Sequence, residues 1–438
     1  MNNLAKPKTL NEWLAYIEAL HPKSIAMGLE RVSTVASRLA LKPSFKVITV
    51  AGTNGKGSTC AMLSHIYINA GYQVGIYTSP HLLRYNERVH INNQEISDQD
   101  LCLAFQAVED ARKEIELTYF EMGTLAAMWH FMQLKLDVVI LEVGLGGRLD
   151  AVNIFDADCA IVTNVDLDHM EYLGDTREKI GLEKAGVYRS NQISICGDHS
   201  PPNSLLSYAT SIGTDLKLAN HDFHVKFKYN GWAYSDQNGD LVFPELTLMG
   251  SFQVDNAASV IYAVRALASS LPVPDQVIVD TLPKVQLIGR FQYLHRRPDV
   301  IVDVAHNPQA ALSLSESLKK IEISSSHSFQ WIAVFAMLAD KDIASVVNLL
   351  KNQVDVWYIA AIDHPRAASI DMLKSILLEN GVSVPILAFS KVEDALNMAY
   401  KNMTKNDKII VFGSFFTVAA ALESLPMAED AFDLIIES

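Results

Sequence analysis

The string Gly52-Thr53-Asn54-Gly55-Lys56-Gly57-Ser58-Thr59 concentrates more chemistry than any other stretch of the chain. Glycines let backbone N–H groups turn toward phosphate oxygens, a helix N-terminus favours negative charge, Lys56 adds a point charge, and a hydroxyl can ligate magnesium. The spacing departs from the standard phosphate loop. Only Thr53 and Asn54 separate Gly52 from Gly55, and Gly57 pushes Ser58 to the second position after Lys56. A glycine-rich turn could also read this way, but the β-rich run before it and the helical pattern after it favour phosphate. Glu142 ends an apolar run from Asp137, where a carboxylate is costly unless it is paired or bound to a cation. Gly144, Gly146 and Gly147 follow and leave room for a ligand. A third group, His169, follows the apolar segment Cys159–Asn164, with Asp166 and Asp168 beside it as metal-site neighbours or solvated side chains. His221 and His224 have H-x-x-H spacing but lie in a turn-rich segment without a third ligand, which reads as an ordinary surface pair.

These groups need elements to hold them. Phe45–Ala51 reads as a strand, Ser58–Ala70 as a helix stopped by Gly71, and Gln73–Tyr77 as a strand. Asp98–Lys113 and Glu121–Gln133 read as helices, with Asp137–Val143 and Cys159–Asn164 as buried strands. Strands alternating with helices imply parallel βαβ units in a doubly wound α/β sheet. In such a sheet the C-terminal strand ends share one edge, so Ser58, Ser79, Glu142 and His169 should converge there. From about Asn191 to Met249 shorter β-like runs, broken at Asn230-Gly231 and Asn238-Gly239, read as an irregular β-rich extension. A helix near Asn256–Ala268 and a proline-spaced stretch follow, which places a domain boundary near Arg296-Arg297-Pro298. Strands at Val300–Val304, Trp331–Phe335, Val356–Ala361 and Lys408–Phe412 then make a second, smaller α/β domain. The expected domains are 1–295 and 296–438.

At roughly 150 residues per domain, 438 residues suit two to three folded domains. With 49% apolar and 20% charged residues, disordered and fibrous classes are excluded. Thirty-six Lys and Arg against fifty Asp and Glu give a net charge of −14, which argues against nucleic acid as a partner. The four cysteines form no C-x-x-C pair, the N-terminus has no apolar h-region for a signal peptide, and no apolar stretch approaches the length of a membrane span. A cytoplasmic protein without a membrane partner is the expectation.

Six motifs, in order, resemble the folylpolyglutamate synthases, relatives of the Mur ligases. They are Gly52–Ser58, Thr78-Ser79-Pro80-His81, Leu141–Gly144 with Gly147–Asp150, Leu167-Asp168-His169, Glu183-Lys184-Ala185-Gly186 and Asp303–Pro308. Leu117–Glu121 and Leu83–Arg88 are similar to the bacterial branch that combines dihydrofolate synthase and folylpolyglutamate synthase activities. The resemblance spans about Leu20 to Val418. It implies a Mur-ligase-like P-loop ATP-binding domain followed by a smaller Rossmann-like domain, with the active site in the cleft. It implies ATP-dependent ligation of L-glutamate to dihydropteroate and to reduced folates through an acyl phosphate, by a monomer.

By the same resemblance, Asn54, Gly55, Lys56, Gly57, Ser58, Asn256, Arg290 and Asp303 contact ATP, and Ser58, Ser79, Glu142 and His169 hold Mg2+. A monovalent cation such as K+ is a further expectation. Dihydropteroate falls to Ser24, Ile25 and Ala26, to Thr118, Tyr119, Phe120 and Glu121, and to Leu149, Asp150 and Ala151. Lys56, Lys184 and His306 are the expected catalytic groups, Lys184 as a carbamate. The chain departs from the family pattern at Ala26, where Asp is common, and at Phe252, where His is common. No role is assigned to Met249–Gln253. A cell-wall precursor ligase is disfavoured because Phe45–Ser58 starts too early to leave room for a UDP-binding domain. A P-loop switch is disfavoured by the second α/β domain.

Overall fold

A computed structural model describes residues 7–425 apart from 24, 297 and 326. The chain divides into two compact units, 1–247 with 253–285 and 248–252 with 286–438.

The first unit is built on eight strands: β1 (Lys46–Ala51), β2 (Val74–Tyr77), β3 (Val89–Ile91), β4 (Gln94–Glu95), β5 (Val138–Glu142), β6 (Cys159–Val162), β7 (Ile193–Cys196) and β8 (Asp215–Leu218). Their order is β4-β3-β2-β5-β1-β6-β7-β8. From β2 to β8 all neighbours are parallel, and only β3 and β4 add antiparallel at one edge. β2 and β5 are buried at every position, and β1 at all but Lys46, as parallel strands covered on both faces must be. Helices Lys56–Asn69, Asp98–Arg112 and Tyr119–Met132 start close to the expected positions. Thr118 and Glu121 form a capping box that fixes where the last of them begins.

One expectation fails. Residues 191–218 are not part of an irregular extension, because β7 and β8, joined by the helix Asn203–Ile212, continue the parallel sheet. Only β9 (Phe223–Lys228), β10 (Gly231–Asp236) and β11 (Gly239–Phe243) form the separate antiparallel sheet, with tight turns at 229–230 and 237–238.

The second unit holds β12 (Gln292–Arg296), β13 (Asp299–Asp303), β14 (Trp331–Phe335), β15 (Val356–Ala360), β16 (Ile386–Phe389) and β17 (Lys408–Phe412) in the order β12-β13-β17-β14-β15-β16. All pairs are parallel except β12–β13. The boundary expected after residue 295 falls inside β12. Its pairing with β13 carries Gln286–Arg296 into the second unit. Among the described residues no helix is long and apolar enough to cross a membrane.

Candidate active site

The glycine loop joins β1 to the helix Lys56–Asn69, with Gly52 at φ 146 and Gly55 at φ 82. Both values lie where a side chain is strained, so glycine is required for the turn. The loop is clamped to the end of β6. Thr53 N–H donates to the Asn164 carbonyl at 3.0 Å and Asn54 N–H to Asn164 Oδ1 at 2.9 Å. Thr163 Oγ1 donates to the Asn54 carbonyl at 2.6 Å, and Asp166 N–H to Thr53 Oγ1 at 2.9 Å. These bonds consume the N–H groups of Thr53 and Asn54, so the first helical turn at Lys56–Ser58 carries the donors aimed at an anion. Lys56 Nζ rests on the carbonyls of Gly52 and Thr53 at 3.1 and 3.2 Å.

Strands β2, β5, β1 and β6 are consecutive in the sheet and parallel, so Ser79, Glu142, the glycine loop and the segment to His169 follow neighbouring strand ends. Ser79 N–H donates to Glu142 Oε2 at 3.1 Å, and Glu142 is buried. His169 sits at φ 51, opens the short helix Met170–Leu173, and is 3.8 Å from Asp168 Oδ2. Among the described residues no three His, Cys, Asp or Glu side chains cluster as a metal site. The donor set nevertheless suits a hard divalent cation, which takes hydroxyl, carboxylate and phosphate oxygens. A buried carboxylate at the strand end beside the phosphate loop is the observation that fits.

Lys184 lies near the end of helix Arg177–Ala185 and is buried. Burial, with the nearby Lys56 charge adding to it and Asp168 opposing, pulls its amine down to about 7. The helix end interlocks with the loop after β5. Arg148 N–H donates to the Glu183 carbonyl at 2.7 Å, and Arg148 pairs with the Glu183 carboxylate at 2.7 Å.

The segments expected to hold dihydropteroate come together within the first unit. Ile25 and Ala26 line a cavity of about 510 Å³ with Met27, Arg31 and Tyr172, while Ser24 lies outside the described residues. Arg31 ties this wall to the Thr118–Glu121 helix start, donating to the Ala26 carbonyl at 2.7 Å and to Glu121 Oε1 at 2.8 Å. Tyr119 stacks beneath the Arg88 guanidinium, and Phe120 packs so closely on Gly144 that a Cβ there would lie 2.7 Å from the ring. Asp150 accepts from Leu145 N–H at 2.8 Å and Val152 N–H at 3.0 Å, so its carboxylate shapes the loop carrying Leu149 and Ala151. Burial pushes Asp150 up to about 7 against those bonds.

In the second unit Asp303 ends β13, accepting from Phe291 N–H at 2.9 Å and Ala305 N–H at 2.8 Å. Burial raises its carboxyl and the Arg290 charge opposes this. Arg290 and His306 both lie against the Phe415 ring, so these two polar residues share one aromatic neighbour. Asn256 belongs to the first unit, where its amide packs on Gly55. Sequence reasoning passed over Arg31, Thr163, Asn164 and Gln253; each acts through a distant partner, and nothing local marks it. His221 is exposed, and its ring lies 3.2 Å from the carboxylate of the neighbouring Asp222, as a surface histidine would.

Residues 50–264 match the Mur ligase middle domain and residues 289–415 the Mur ligase glutamate ligase domain. A dihydrofolate synthase/folylpolyglutamate synthase of Escherichia coli (strain K12) is 46% identical over 415 residues, 94% of this chain and 95% of that protein. The solved structure of E. coli FolC with DHPP and ADP is 44% identical, with a TM-score of 0.89 over 95% of this chain and 97% of that one. A bifunctional folylpolyglutamate synthase/dihydrofolate synthase solved with Mn, AMPPNP and L-glutamate is 43% identical, with a TM-score of 0.86 over 95% of this chain and 98% of that one. With both units matched and the relatives aligned nearly end to end, the chain belongs to the dihydrofolate synthase/folylpolyglutamate synthase family of the Mur ligases.

Proposed function

We propose that the protein is an ATP-dependent carboxylate–amine ligase that joins L-glutamate to dihydropteroate, making dihydrofolate, and adds further glutamates to reduced folates. The observation that carries this reading is the contact of Phe120 with Gly144, two residues after Glu142. It joins the pteroate-side helix to the strand end that carries the buried carboxylate, on the sheet edge that also holds the phosphate loop. Relatives that bind ADP with DHPP, and AMPPNP with L-glutamate, support it.

In this reading the first helical turn and Lys56 hold the γ-phosphate while a substrate carboxylate oxygen attacks it. ADP leaves and an acyl phosphate remains. The glutamate amine then attacks the acyl carbon, phosphate departs, and the amine loses its proton. Ser58, Ser79, Glu142 and His169 would hold Mg2+, which neutralises phosphate charge when bound. K+ would be a further ion of the site. Asn256 in the first unit and Arg290 and Asp303 in the second are assigned to the nucleotide, with His306 as a catalytic group beside them. Ile25, Ala26, Thr118–Glu121 and Leu149–Ala151, with Ser24, are assigned to the pteroate.

Lys184 suits carbamylation. An amine with a pKa of about 7 is substantially neutral at physiological pH, and its lone pair can take up CO2 with loss of one proton. The resulting carbamate removes a cation beside Lys56 and supplies an anionic oxygen in its place. The protein is read as a cytoplasmic monomer that needs neither nucleic acid nor membrane.

Purified protein with MgATP and labelled glutamate tests the reading directly. Labelled product is expected with dihydropteroate and with tetrahydrofolate, and ADP release should depend on both substrates together. ADP release that ignores pteroate and glutamate would overturn it.

A further inference from the structure

Ser58 is buried in the first turn of the phosphate helix, and its hydroxyl carries one proton and two lone pairs. What fixes their directions is an amide relay from helix Ser251–Ala266. Asn256 Nδ2 donates to Gln253 Oε1 at 3.1 Å, and Gln253 Nε2 donates to Ser58 Oγ at 3.1 Å. Gln253 and Asn256 are one helical turn apart and both are buried, so water does not compete for these bonds. The relay has a fixed polarity. Because Asn256 occupies the Gln253 carbonyl, Gln253 can offer Ser58 only its N–H. The Asn256 amide itself packs on Gly55, where a Cβ would lie 2.6 Å from both of its heteroatoms.

We propose that Gln253 is a positioning residue that orients the Ser58 hydroxyl toward the divalent cation accompanying the nucleotide. This rests on the reading that nucleotide phosphates and their cation bind at the glycine loop. One Ser58 lone pair takes the Gln253 N–H, the hydroxyl proton is driven away from that direction, and the second lone pair is left for the cation. Without the amide the hydroxyl rotates, and cation binding must fix it again.

Equilibrium binding of ATP, with magnesium and with EDTA, tests this without any folate or glutamate. Gln253→Leu keeps the bulk and removes the hydrogen bonds, and Gln253→Met serves if that variant fails to fold. The expected loss is about 10- to 100-fold in magnesium-dependent affinity, with metal-free binding unchanged. Placed in a Ser58→Ala background, either substitution should add nothing. Equal weakening of metal-free and metal-bound ATP, additive losses in the double variant, or unchanged affinity would each overturn the proposal. If the unaltered protein binds no ATP, the nucleotide reading falls along with it.

Discussion

Lys184 illustrates how a single burial sets chemistry and stability together. Its folded pKa of about 7 lies below the ordinary 10.5, so between these values the unfolded chain binds a proton that the folded chain does not. Stability from this residue therefore rises with pH across that window and is flat below it. In CO2-free buffer, the gain in Tm from pH 7 to pH 9.5 should be larger for the unaltered protein than for Lys184→Met, by differential scanning calorimetry. Equal gains would mean that the lysine is not held neutral. The motif around Lys184 is visible in the sequence; the burial that makes it neutral is not, because it comes from the packing around that helix end, where Arg148 meets Glu183.

At the level of elements, the glycine loop depends on what β6 lends it. Gly52 faces Thr163 so closely that a Cβ would lie 1.8 Å from Thr163 Oγ1, a hydroxyl that also holds the Asn54 carbonyl. Gly52→Ala should cost about 1–3 kcal/mol, read as a lower denaturation midpoint, and should weaken ATP binding as the clamp opens. An unchanged midpoint would show that Thr163 yields freely. The loop itself was legible because its glycines and lysine are adjacent in sequence, as were the long buried strands. β7 and β8 were not. Each is four residues long, and β8 alternates polar and apolar residues (Asp215-Leu216-Lys217-Leu218) at the sheet edge, a pattern that a strand of an antiparallel extension shares. β12 was missed because Gln292–Arg296 is a largely polar edge strand, and with it the boundary shifted. Gln253 and Asn164 carry no local signal, since each acts on residues more than a hundred positions away.

For the molecule as a whole, Arg290 and Asp303 belong to a different unit from the glycine loop, yet both are assigned to the same nucleotide. Arg290→Ala should raise the ATP KM by a similar factor in both ligations, measured with dihydropteroate and with tetrahydrofolate as acceptors. A loss confined to one acceptor would show that Arg290 reads the folate instead. The clamp on the glycine loop also has a meaning in time. Thr53 is closed by Asn164, 111 residues further along, and Ser58 by Gln253, 195 residues further. At about 5–20 residues per second of synthesis, the first partner emerges roughly 6–20 s after the loop. Until then the growing chain carries the glycines and lysine of a nucleotide site without the groups that shape it. A nucleotide that binds this loop is therefore expected to stabilise the first unit only after β6 has joined the sheet.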